Sequence, residues 1–168
     1  MNTTAARPNR NFDVVVFGAS GFTGHLVMEY MWEQYPASSG LRWAVAGRNR
    51  EKLESVIAGI GIPADALPIL VADSHDPESL SEIAADTRVV LTTVGPYAKY
   101  GSALVEACVR YGTDYCDLAG EVQWMRKMID RHQSDAETSG ARIVHSCGFD
   151  SIPSDIGVYF LQQKSREL

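Results

Sequence analysis

The stretch "VVVFGASGFTG", residues 14–24, runs an apolar β-branched segment into three glycines spaced three apart, Gly18, Gly21 and Gly24. An apolar run without alternation has the composition of a strand buried on both faces of a parallel sheet. Directly after it, Phe22, Leu26, Val27, Tyr30 and Met31 recur at helical spacing, so the segment reads as strand, tight turn, helix. In such a unit Gly18 permits the turn, Gly21 removes a Cβ where a pyrophosphate approaches the backbone, and Gly24 lets helix and strand pack closely. The free N–H groups at the helix start, together with the positive end of the helix dipole, then face the phosphates. Ser20 and Thr23 place hydroxyls in the same loop as further phosphate donors, and Phe22 lies there as a contact or as packing. A dinucleotide is the ligand this turn predicts.

The rest of the chain keeps the same rhythm. "LRWAVAGR", "LPILVAD", "RVVLTTVG", "DYCDLA" and "ARIVHSCG" read as strands after "FDVVVFG", which makes six. Between them "NREKLESVIAGIG" is amphipathic with Leu53, Val56 and Ile57 on one face. "DPESLSEIAADT" offers Asp76 as N-cap and Pro77 at the first helical position. "SALVEACVRYG" and "EVQWMRKMIDRHQSDAETSG" supply two more helices, and a closing helix starts at about Pro153. Gly40, Gly59, Gly61, Gly112 and Gly140 stand where helix ends are expected. Uninterrupted alternation requires right-handed crossovers, hence a doubly wound parallel α/β sheet with helices on both faces, the Rossmann fold. Residues 1–11 are expected to form a flexible leader and residues 12–168 one domain.

Composition narrows the class further. At 168 residues and 45% hydrophobic side chains the chain supports one sizeable core and is too short for two ordinary domains. Fifteen Lys and Arg against 21 Asp and Glu give a net charge of −6, which offers no footprint for nucleic acid or an anionic membrane. No apolar run approaches the roughly 18 residues of a membrane span. Cys108, Cys116 and Cys147 have no C-x-x-C spacing and suit a reducing cytoplasm. The four histidines lack metal-ligand spacing, so no metal site is expected.

The end of the second strand bears on the choice of dinucleotide. NAD-binding proteins usually place a carboxylate there for the ribose 2′-hydroxyl, whereas this chain has "AVAGRNREK". Arg48, with Arg50 and Lys52 nearby, suits a 2′-phosphate, which a carboxylate would repel, so NADP(H) is favoured over NAD(H). Asp73, ending the third strand, is expected either at the adenine amino group or as a loop cap. The fourth exit, "TTVGPYAKYG", brings the backbone of Val94, Gly95 and Pro96 toward the middle of the cofactor, with Tyr97 and Tyr100 as substrate contacts. Later exits contribute Asp117, Glu121, Cys147, Asp150 and Ser151 as further substrate candidates. No catalytic residue stands out among them, and none of the seven tyrosines has the lysine four residues later that short-chain dehydrogenases use.

"VVVFGASGFTG", "AVAGRNREKL", "TTVGPYAKYG", "GTDYCDLAGE" and "CGFDSIPSD", in this order, resemble the N-terminal half of saccharopine dehydrogenase-like oxidoreductases, on the branch that includes the mycobacterial trans-acting enoyl reductases. The likeness covers about residues 12–163. It implies a nicotinamide-binding domain followed by a second α/β domain for substrate binding and dimer contacts, with NADPH-dependent hydride transfer to an open substrate class. On the enoyl reductase branch the reaction is reduction of a carbon–carbon double bond in a lipid precursor. The alternative is a non-catalytic NADP-binding or scaffold domain. A homodimer through the outer face of the last helix is compatible with either.

Overall fold

A computed structural model describes residues 9–167. Six strands form one all-parallel sheet in the order β3-β2-β1-β4-β5-β6. β1 (Phe12–Phe17) lies inside the sheet between β2 (Trp43–Gly47) and β4 (Thr87–Thr92), in register from Val14↔Trp43 to Phe17↔Ala46 on one side and from Phe12↔Thr87 to Phe17↔Thr92 on the other. β3 (Ile69–Val71) flanks β2, and the short β5 (Asp114–Cys116) and β6 (Ile143–Val144) complete the opposite half. Each face of the sheet carries its own core. Val16 and Val45 meet Met28 and Met31 of α1 (Phe22–Gln34) and Leu53 and Ile57 of α2 (Arg50–Ile60). Val15, Phe17, Val90 and Tyr115 meet α3 (Pro77–Asp86), α5 (Ser102–Tyr111) and α6 (Val122–Ser139). A single turn, α4 (Tyr97–Tyr100), precedes α5, and α7 (Ile152–Ser165) follows β6.

Local signals account for most boundaries. The Asp76 carboxylate accepts from Glu78 N at 3.1 Å with Pro77 opening α3, and Asn49 Oδ1 accepts from Lys52 N at 2.8 Å to cap α2. Gly61, Gly112 and Gly140 end α2, α5 and α6 in the left-handed conformation. Gly59 instead lies inside α2, one residue before its end.

The apolar stripe expected on α1 is rotated. Phe22, Leu26 and Tyr30 are exposed, and Gly24, Met28 and Met31 are buried. The helix presses its glycine against the turn before it, and the residues four and seven positions on follow that face inward. In α6 the same logic puts Trp124 and Met128 inside and leaves Ile129 exposed. α7 buries no residue: its Ile156, Tyr159, Phe160 and Leu161 are exposed, as is Phe149 just before it. No helix among the described residues is long and apolar enough to cross a membrane.

Of the segment expected as a leader, residues 1–8 lie outside the described residues; Arg10 is buried at the start of the sheet. Its guanidinium donates to the carbonyls of Ala84, Thr87 and Tyr111 and to Thr113 Oγ1. The last turns of α3 and α5 leave carbonyls without helical partners, and a five-donor planar cation satisfies several at once. Asn11 adds a bond from its Nδ2 to Asp86 Oδ2 at 2.9 Å.

Replacing Arg10 with alanine strands these acceptors. Arg10→Ala is expected to lower unfolding free energy by about 2–3 kcal/mol, the scale of lost charge-assisted bonds plus buried unpaired carbonyls. Urea denaturation at constant slope reads this directly, and a change under about 0.5 kcal/mol would contradict the clamp.

Candidate functional site

At the C-terminal edge of the sheet, the chain leaves β1 toward α1 and leaves β4 toward α4 and α5, on opposite faces. The crevice between these exits is where open α/β sheets bind ligands. Gly18 there has φ +90°, and a Cβ on it would lie 2.6 Å from Val94 Cγ2. A Cβ on Gly24 would lie 2.2 Å from Gly18 O, so α1 approaches the turn as closely as only glycine permits. Gly21 differs, since its Cβ would meet only Gly18 O, at 3.3 Å. Gly18 N donates to Ala46 O at 2.8 Å and Thr93 N to Phe17 O at 3.0 Å, which ties the turn to β2 and β4. Gly21 is the N-cap of α1 and provides no side-chain cap. The helix start therefore offers its N–H groups to the crevice.

A cleft of about 480 Å³ opens over this turn. Gly18, Ser20 and Gly21 form its floor; Arg48, Asn49 and Lys52 line the β2 side, Ser74 the β3 side, and Val94, Gly95 and Tyr100 the β4 side. No Asp or Glu lines it among the described residues. Arg50 turns away, donating to Ile69 O at 3.1 Å and pairing with Glu54 at 3.8 Å. Arg48 and Lys52 are in no ion pair with described residues, leaving two cations at the end of β2. A second depression of about 440 Å³ lies at the C-terminal ends of α5 and α6, at the opposite edge of the sheet, where Glu106 is shared by Arg110 and Arg131.

Of the residues singled out in sequence, Gly18, Ser20, Gly21, Arg48, Val94, Gly95 and Tyr100 line the cleft together. Thr23 is exposed in the first turn of α1, and Phe22 is 85% exposed at the rim beside His25 and Leu26. Gly24 is buried against the turn. Asp73 Oδ1 accepts from His75 N at 2.9 Å, so this carboxylate caps its own loop. Pro96 is the N-cap of α4. Tyr97 points inward rather than into the cleft, which corrects its place as a substrate contact. Its hydroxyl donates to Thr92 O and accepts from Leu118 N, both at 3.2 Å, and its ring stacks on Trp124. Burial pushes its pKa up to about 12, so it stays neutral.

The acidic candidates are anchors too. Asp117 has a fully buried side chain, which corrects its place as a substrate contact. Its Oδ1 accepts from Ala119 N at 2.9 Å and Ser146 N at 3.0 Å, and its Oδ2 accepts from the Tyr115 hydroxyl at 2.9 Å and faces His145 Nδ1 at 2.6 Å. Burial pushes this carboxyl up, but bonds from His145, Ala119 and Ser146 outweigh it and hold the carboxyl below its ordinary range. Glu121 accepts from Tyr97 N at 2.5 Å and Ala98 N at 2.9 Å, capping α4 instead of facing a ligand. Cys147 curls back toward Val144 O at 3.5 Å, and burial followed by the Asp117 charge pushes its thiol up. Ser151 is the N-cap of α7 and Asp150 is exposed just before it.

His145 had no signal in the sequence, because its partner Asp117 is 28 residues away. Ser74 and Thr93 enter the cleft equally unannounced, whereas Asn49 was legible as a cap residue directly before a helical run.

The family model for the saccharopine dehydrogenase NADP binding domain matches residues 14–144. The trans-acting enoyl reductase of Mycobacterium leprae is 48% identical over 155 residues, 92% of this chain and 36% of that protein. The trans-acting enoyl reductase of Mycobacterium tuberculosis is 47% identical over 158 residues, 94% of this chain and 37% of that protein. The chain thus spans little more than a third of the length of these curated relatives. Apo saccharopine dehydrogenase (L-Glu forming) from Saccharomyces cerevisiae has the same fold, with a TM-score of 0.65 at 19% identity over 83% of this chain and 28% of that one.

Two outcomes follow from the geometry. Gly24→Ala is expected to cost several times more thermal stability than Gly21→Ala, because the first drives a methyl to 2.2 Å from Gly18 O and the second only to 3.3 Å; equal losses in calorimetry would contradict the packing. Asp117 has a lowered folded pKa, so its stabilisation is complete above its ordinary value of 3.8 and fades as pH falls through the lower folded value. The stability gap between the native chain and Asp117→Asn should therefore be wide at pH 7 and narrow toward pH 2 in urea titrations.

Proposed function

Because the chain belongs to the saccharopine dehydrogenase NADP-binding domain family, we propose that its cleft holds NADP(H) and that it serves as the cofactor half of an oxidoreductase. The observation that carries this reading is the lining of the cleft: a turn whose close approaches at Gly18 and Gly24 only glycine permits, beneath two cations, Arg48 and Lys52, with no carboxylate among its described residues. A guanidinium beside an ammonium suits a 2′-phosphate, and a bare helix start suits a pyrophosphate. When bound, NADPH supplies a hydride from its nicotinamide ring. The chain's own part is to bind and orient. Gly18, Ser20 and Gly21 hold the pyrophosphate, with Phe22, Thr23 and Gly24 forming the first turn of the helix behind it. Val94 and Gly95 wall the middle of the cleft with backbone. Glu121 and Asp117 hold the exit loops of β4, β5 and β6 in place, which leaves Asp150 and Ser151 as polar groups at the last exit.

The substrate in this reading is a small, lipid-like molecule carrying an enoyl double bond, and the protein is cytoplasmic. Substrate binding belongs to a second domain of a longer protein, or of a homodimer, packed against the exposed apolar residues of α7. The likeness to enoyl reductases and their greater length support this.

Calorimetric titration of the chain with NADPH and NADH is the test. NADPH is expected to bind more tightly, and Arg48→Ala to lose about 1.5–3 kcal/mol with NADPH and almost nothing with NADH, the size of a charge-assisted bond. Equal losses for both would remove Arg48 from the 2′-phosphate. Gly21→Val should abolish binding of either cofactor with the far-UV circular dichroism unchanged; undiminished affinity would move the pyrophosphate elsewhere.

A further inference from the structure

We infer that His145, which is not among the residues lining the cleft, is a positioning residue for cofactor binding that props the β4 wall through Trp124 and Tyr97, an inference that rests on the dinucleotide reading above. A run of contacts joins the two places. The His145 ring meets the Trp124 ring edge-on, with centroids 5.1 Å apart at 72°. Trp124 in turn stacks on Tyr97 at 5.7 Å and 28°. The Tyr97 hydroxyl donates to Thr92 O at 3.2 Å, and Thr92 Oγ1 accepts from Val94 N, also at 3.2 Å. Val94 is the side chain that a Cβ on Gly18 would strike, and with Gly95 it lines the cleft.

The exit of β6 is built around this ring. Ser146, directly after it, is the non-glycine residue with positive φ among the described residues, at 62°. That conformation is uncommon for a residue with a Cβ, and two bonds hold it: Ser146 N donates to Asp117 Oδ1 at 3.0 Å and Ser146 Oγ to Ala119 O at 2.7 Å. The Asp117 carboxylate only accepts, so His145 Nδ1, 2.6 Å away, carries the proton and the orientation of the ring is set. Nε2 is buried with no protein partner. Among the described residues the far side of the ring is therefore held by packing, against Trp124 and against Tyr115 at 5.8 Å. A ring held in this way transmits its position to the rings it touches, because packed interiors leave little space to absorb a shift.

The test is calorimetric titration with NADPH and with 2′,5′-ADP, which has the adenosine half and no nicotinamide. His145→Asn keeps an N–H near the Nδ1 position and removes both the ring and the unpaired Nε2. It is expected to weaken NADPH about fivefold, within the range of residues that act through a chain of contacts, and to leave 2′,5′-ADP within about twofold, because the β4 wall faces the middle of the cofactor. Tyr97→Phe keeps the stacked ring and cuts its bonds to Thr92 O and Leu118 N, and the same split is expected. The two changes together should cost about fivefold and not about 25-fold, since both interrupt one chain. Losses that multiply would overturn the inference, as would unchanged NADPH affinity or equal weakening of both ligands, the mark of a general loosening. His145→Gln, with its donor on a longer arm, takes the place of His145→Asn if that chain does not fold. Failure of the unaltered chain to bind NADPH would instead overturn the dinucleotide reading, and the inference with it.

Discussion

The approach of α1 to the end of β1 sets the geometry on which the rest of the molecule depends. A Cβ at Gly24 would stand 2.2 Å from Gly18 O, and one at Gly18 would collide with Val94. Two backbones and a neighbouring strand exit therefore occupy space that any side chain would deny them. The contact fixes the rotation of α1, so that Met28 and Met31 enter the core and Phe22, Leu26 and Tyr30 remain outside. It also leaves the first turn of the helix facing the crevice without a side-chain cap. Packing and ligand chemistry thus share one cause, a turn with no side chains at its closest points.

The second half of the sheet is held in a different way. β5 has three residues and β6 two, so their ladders supply few backbone bonds. Carboxylates take over that work. Asp117 binds Ala119 N, Ser146 N, Tyr115 and His145, and Glu121 binds the start of α4. At the opposite edge Arg10 does the same with carbonyls left by α3 and α5. Fixed loops on short strands suit a site whose walls must hold still around a long ligand. Asp117 and Glu121, candidates in sequence for substrate contact or for capping, accept backbone amides and work as polar fasteners.

Sequence patterning located all six strands, the αL glycines at the ends of α2, α5 and α6, the Asp76 cap and the glycine turn, because each depends on residues a few positions apart. Arg48 as the cation ending β2 was legible for the same reason. The fate of Arg50 was not, since its partner carbonyl is on Ile69, 19 residues on. The burial of Arg10 was not legible either, because its acceptors lie 74 to 103 residues away.

The sequence by itself determined the alternation, the parallel sheet and the presence of a tight glycine turn before α1, all consequences of steric rules that act locally. Only the tertiary structure decided which polar residues face the cleft. Tyr97 and Tyr100 lie three apart in one helical turn, yet one is buried against Trp124 and the other lines the cleft and meets the His75 ring. That division comes from which neighbours the crossovers bring alongside, and no local pattern encodes it.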